Sequence, residues 1–274
     1  MAKKKLNDGE TVKLKSRNPI VEFDRLQMYF GEPYVIDLEG VQGSITLYSP
    51  KIGDVIRMGE SKFYSALNIF ITNTTSYRAF LWDMGIDWNE ISDFELFIML
   101  YKNIDQEISN LLFGEDLVWN DFELSQKQTE EKIEIVLINP QLNIEINYDV
   151  YNHIAQYLRA VFNIYPEEKI TTDNILKQWY INKDKRQAER DQANKDEKHS
   201  SSIQSVISAC VNHPGFKYKL RELREVGVAE FYDSVQRLQI YENTTALLKG
   251  MYSGMIDGKK IKASDYNFMK EITK

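Results

Sequence analysis

Residues 132–162, KIEIVLINPQLNIEINYDVYNHIAQYLRAVF, change their hydrophobic period partway through. In 132–138, Ile133, Ile135 and Leu137 alternate with polar or smaller partners, the spacing of a strand with one face inward. Asn139-Pro140-Gln141 supplies a tight turn, and 143–147 reads as the return strand. From Tyr148 the apolar residues fall at steps of three and four, through Tyr151, Ile154, Leu158 and Val161, until Pro166 sets a boundary. That is a helix over 148–162. A third β-prone run at 117–124 completes a small antiparallel meander in the middle of the chain. Strands and helices alternating on this scale predict an α+β fold.

Upstream, two β-prone runs at 34–38 and 44–48 flank Glu39-Gly40-Val41-Gln42-Gly43 and read as an N-terminal hairpin. Pro50 then opens a helical stretch, because its missing N–H is not needed in a first turn. Helical spacing runs from Ile52 to Ile108: Phe63, Leu67 and Phe70 share a face, and Phe80, Leu81 and Met84 mark a short segment ending at Gly85. Ser92-Asp93-Phe94-Glu95 fits a capping box. One helix is expected after it, through Phe94, Phe97, Ile98, Tyr101, Ile104, Ile108 and Leu111, with Gly114 as the stop.

Downstream, Thr172-Asp173 starts a helix with Ile175, Leu176, Trp179 and Tyr180, which runs into KDKRQAERDQANKDEKH at 183–199. Charges of both signs with only Ala among the apolars predict an exposed helix held by i,i+4 pairs, or a linker. Ser200-Ser201-Ser202 ends it. A short stripe of Ile203, Val206, Ile207, Cys210 and Val211 stops at His213-Pro214-Gly215. The last long helix carries Val228, Phe231, Val235, Leu238, Tyr241, Thr245, Leu248, Tyr252 and Met255. The expected organisation is a flexible arm over 1–31, an α+β domain over 32–182, a charged helix or linker over 183–202, and a helical segment over 203–274.

The 274 residues carry 34 basic and 41 acidic side chains, a net charge of −7 that opposes binding to phosphate backbones. Lys3 to Lys5 form a short basic tip, and Lys217, Lys219, Arg221 and Arg224 are interleaved with Glu222 and Glu225, so neither makes a nucleic-acid patch. A single cysteine, Cys210, allows neither an internal disulfide nor a four-cysteine zinc site. No run of about 18 apolar residues is long enough to span a bilayer. The first residues lack the apolar centre of a secretory signal, so a cytoplasmic location is expected.

No catalytic constellation emerges. Residues 254–260, GMIDGKK, have three residues between the glycines where a phosphate loop needs four, and Lys260 stands at the hydroxyl position. A helix end and turn is the better reading. Residues 87–93, DWNEISD, space their acids like a calcium loop, but the sixth and twelfth positions hold Ser92 and Ile98. Asp149 and His153 could share a metal, yet two ligands do not make a site. His199 lies in the charged run and His213 in a turn, Cys210 has apolar neighbours, and Ser200 to Ser202 lack a nucleophile elbow. No catalytic residue, metal or cofactor is expected. The aromatics of the last helix, Phe231, Tyr232, Tyr241 and Tyr252, occupy more than one face. Core packing explains one face, and a partner interface explains the rest.

Three segments carry a resemblance: TLYSPKIGDVIRMGESKFYSALNIF (46–70), LWDMGIDWNEISDFELFIMLYKNI (81–104), and 213–261, beginning HPGFKYKLRELREVGVAEFYDSVQRL. They resemble tail-morphogenesis proteins of tailed bacteriophages of Gram-positive hosts, and are most similar to the tail assembly chaperones. The resemblance covers most of the chain after Glu32 and brings no catalytic residues. It implies a non-enzymatic protein of the bacterial host's cytoplasm that binds a tape-measure or tail-tube component during assembly, with no nucleic acid and no membrane as partner. A permanent baseplate, connector or tail subunit of the virion is the alternative it leaves.

Overall fold

A computed structural model describes residues 18–38, 43–128, 133–193, 202–270 and 272. The fold is α+β. Strands β1 (Tyr34–Asp37) and β2 (Ser44–Leu47) pair antiparallel with Tyr34 opposite Leu47, as the hairpin reading expects. Most of the loop predicted between them lies outside the described residues. The middle sheet, β3 (Glu123–Gln128), β4 (Ile133–Asn139) and β5 (Ile144–Ile146), is an antiparallel meander in that order.

Two sequence-based expectations are corrected here. Residues 117–122 are not strand: Trp119–Asp121 form a single 3-10 turn, and β3 begins only at Glu123. Asn120-Asp121 favour a turn, and Trp119 turns inward to a buried site where its indole N–H donates to Ser109 Oγ at 2.9 Å. The expected helix after Ser92 is two helices, α5 (Asp93–Leu100) and α6 (Gln106–Phe113), divided by a 3-10 turn at Tyr101–Asn103. Asp105 makes the break, since its carboxylate accepts from the N–H groups of Glu107 and Ile108 and so starts a helix in place of continuing one. The capping box at Ser92 and Glu95 forms as read. Gly114 closes α6 at φ +85°, a conformation that strains any residue with a Cβ.

The remaining helices are α1 (Arg25–Tyr29), α2 (Ile52–Met58), α3 (Glu60–Ile71), α4 (Arg78–Asp83), α7 (Tyr148–Phe162), α8 (Asn174–Ala193), α9 (Ser202–Val211) and α10 (Val228–Tyr252). α7 occupies the predicted span, capped by the Asn147 side chain on Val150 N–H and ended by Asn163 in the left-handed conformation. Its inward face meets an aromatic cluster: Phe70, Phe97, Phe113, Trp119 and Tyr151 lie within 4.9–5.8 Å of a neighbouring ring centroid. Each such ring buries about 150–250 Å², so this cluster dominates the stabilisation of the body.

The main core takes in both sides of the charged run, joining Leu47, Ile52, Phe63 and Phe162 with Ile203, Ile207, Leu223, Val228 and Phe231. Residues 18–31 lie along α7: Val21 N–H donates to Gln156 Oε1 at 3.0 Å, Asn152 Nδ2 to Pro19 C=O at 2.9 Å, and Phe23 packs edge-on against Tyr157. A smaller core under α8 holds Leu81, Trp88, Leu96 and Ile181. The charged run is helical as far as Ala193, and residues 194–201 lie outside the described residues. Its described ion pairs go to other elements: Arg78 forks onto Asp184, and Lys185 Nζ stands 2.5 Å from Asp83.

Candidate interaction surface

α10 is 25 residues long, or about 37 Å. Its first turn is rooted and the rest is not. Val228 N–H donates to Pro50 C=O at 2.9 Å, and Ile52 N–H to Val226 C=O at 3.0 Å, so the helix start is stitched to the start of α2. Gly53 permits this approach, because a Cβ there would stand 2.6 Å from Arg224 C=O. Val228, Ala229 and Phe231 are buried, and beyond them Thr244 is the one further buried residue of α10.

The four aromatics singled out from sequence part company in space. Phe231 is wholly buried, edge-on to Phe216. Tyr232 is partly buried and shares a 2.9 Å hydroxyl–hydroxyl hydrogen bond with Tyr64; burial pushes both phenols up. Tyr241 is 51% exposed and meets Phe268 edge-on, and Tyr252 is 85% exposed.

The chain's own tail is what holds the outer half of α10. Gly254 (φ +76°) turns the chain back, and 3-10 turns at Gly258–Lys260 and Ala263–Tyr266 lead to residues 267–270. Arg237 donates to the carbonyls of Phe268 at 3.4 Å and Lys270 at 2.6 Å. Met255, Phe268 and Met269 stand mostly in solvent beside Tyr241 and Tyr252. The tail's Phe268-Met269 pair was not picked out from sequence, although two large apolar residues side by side in a polar stretch were the available signal. A groove of about 750 Å³ opens between α1, α7 and α10, lined by Arg25, Tyr29, Tyr232, Asp233 and Arg237, with Ile272 at its rim. Burial pushes the Asp233 carboxyl up, and Arg237 opposes that.

The sequence-weighed metal pair is drawn into another arrangement. His153 Nδ1 lies 2.7 Å from Tyr34 Oη, and burial lowers its pKa, against the pull of Asp149. Asp87, in the calcium-like stretch, pairs with Lys177, and Asp93 accepts from Thr74 N–H at 3.0 Å and lies 3.4 Å from Arg159. Cys210 is buried, with its thiol pushed up. Among the described residues no group of three or more His, Cys, Asp or Glu could hold a metal. Among them, too, no helix is long and apolar enough to cross a membrane.

Residues 193–273 match a family described as the YomV second domain, which is phage-derived. The matched span takes in α9, α10 and the tail, and it supports a phage protein. No curated protein and no solved structure matches the chain.

Proposed function

We propose that this chain is a non-enzymatic phage protein that acts in virion assembly, as a chaperone for tail components in the host cytoplasm. Its partner is another protein, a tape-measure or tail-tube subunit, with neither nucleic acid nor membrane involved. One observation carries the reading: Tyr241, Tyr252, Met255, Phe268 and Met269 stand exposed on the outer half of α10 and its tail, inside the span that matches the phage-derived family. Clustered exposed apolar side chains mark sites of association, since a monomer gains nothing by keeping them wet. Aromatic residues and methionine suit a surface that accepts an extended partner.

The test is co-expression of the full chain with the tape-measure and tail-tube proteins encoded beside it. The triple variant Tyr241→Ala/Tyr252→Ala/Met255→Ala should leave those proteins in the insoluble fraction, whereas the unaltered chain keeps them soluble. Equal solubility with both forms would overturn the assignment of this surface.

A further inference from the structure

α8 is fastened along one side only. The Arg78 guanidinium forks onto Asp184, with Nε–Oδ2 and Nη2–Oδ1 both 2.6 Å. Lys177 pairs with Asp87, and Ile181 fills the small core beside Trp88. At 3.6 residues per turn, Lys177, Ile181 and Asp184 share that fastened face. The opposite face carries Ile175, Trp179, Lys183, Arg186 and Arg190 at steps of three and four, a stripe about 22 Å long. Ile175 is 81% exposed, Trp179 55% and Leu176, at the margin, 44%. Trp179 and the three cations line one shallow groove of about 340 Å³. Lys183 Nζ lies 5.4 Å from the Trp179 ring centre. Among the described residues none of Lys183, Arg186 and Arg190 is ion-paired, and Glu189 and Asp191 fall on the flanks of the stripe.

We propose that this stripe docks an acidic amphipathic helix of a partner protein, with the partner's apolar residues on Ile175, Leu176 and Trp179 and its carboxylates on Lys183, Arg186 and Arg190. Charge complementarity selects this occupant. Like charges at i,i+3 and i,i+4 repel each other, so three cations in a row are relieved when carboxylates arrive. The long-range field of a chain at −7 opposes a polyphosphate backbone. Ile175 and Leu176 also give unpaired bases no ring to stack on. A second copy would bring the same −7 charge and the same cationic stripe. Apolar residues at one end and cations at the other set the direction of the docked helix.

The test uses the full chain and three fluorescein-labelled probes. The first is a synthetic helix of about 20 residues, roughly 30 Å long, with leucines at one end and glutamates at the other on a single face. The second is a same-composition isomer whose leucines and glutamates share no face, and the third is an oligothymidylate of similar length. The first probe should bind, and the isomer should bind about tenfold more weakly or worse. Lys183→Glu/Arg186→Glu/Arg190→Glu should weaken the first probe about tenfold or more, with melting unchanged. Trp179→Ala should weaken it while leaving the salt dependence in place. Equal binding of the isomer would reduce the stripe to plain charge attraction and overturn the proposal. So would tighter binding of oligothymidylate, binding of no probe, or a Trp179-dependent dimer in sedimentation.

Discussion

The four aromatics of α10 make one helix its own control. Phe231 is fully buried against Phe216, so Phe231→Ala removes a whole ring from a packed site and is expected to cost about 3–5 kcal/mol. Tyr232→Ala loses a partly buried ring and strands the Tyr64 hydroxyl, which sits 2.9 Å from its partner, for about 2–4 kcal/mol. Tyr241→Ala and Tyr252→Ala remove rings that are 51% and 85% exposed, and each should stay within about 0.5 kcal/mol of the unaltered chain. Urea denaturation followed by circular dichroism gives these differences. In thermal melts, roughly 2–4 °C accompanies each kcal/mol at this chain size, so Phe231→Ala should fall by about 10 °C while Tyr252→Ala barely moves. A Tyr252→Ala loss as large as that of Phe231→Ala would refute the division of α10 into a rooted start and an open outer half. A Phe231→Ala loss under about 1 kcal/mol would refute it as well.

Arg159 ties α7 to the end of α3, donating to Ile71 C=O at 2.7 Å and Thr72 C=O at 2.6 Å beside buried Asp93. Arg159→Met should therefore cost about 3–5 kcal/mol in urea denaturation, and a loss under about 1 kcal/mol would contradict that role. Gly53→Ala should cost about 1–3 kcal/mol, because its Cβ would meet the backbone oxygen of Arg224 at 2.6 Å, and a neutral melt would sink the argument. Burial pushes the Tyr157 phenol from 10.0 up to about 12, and among the described residues its hydroxyl has no hydrogen-bond partner. The folded state thus keeps that proton longer than the unfolded chain. The associated stability is present below pH 10.0 and is lost as pH rises toward about 12. Tyr157→Phe should match the unaltered chain near neutral pH and lose less stability above pH 10.0, read from melts across that window; identical alkaline loss in both forms would count against it.

Much of the fold was legible because local signals agreed with tertiary demand. Residues 148–162 changed period where a helix begins, and Ser92 with Glu95 marked a helix start that the fold uses. Where the reading failed, a short-range signal competed with periodicity. Asp105 sits inside an unbroken apolar pattern, yet its carboxylate serves better as a cap than as a helix-interior residue. Trp119 lies in a β-prone run, but its indole N–H needs a buried acceptor, and Ser109 provides one through a turn. The candidate surface was partly legible. Helical spacing placed the aromatics of α10 on more than one face, but it could not tell that Phe231 and Tyr232 turn inward while Tyr241 and Tyr252 do not. That depends on where α2, α3 and the tail lie, which are long-range contacts that no local window contains. The stripe on α8 was present in sequence as Trp179, Lys183, Arg186 and Arg190 at steps of three and four. It stayed hidden because Asp184 and Glu189 alternate with those cations along the chain and separate from them only on the helix surface.

The proposal of an assembly factor is tested most directly by quantitative mass spectrometry of purified virions against the lysate of the cells that produce them. Abundance in the lysate with absence from finished particles is the predicted result. Stoichiometric presence in the particles would contradict it and make the chain a permanent component of the virion.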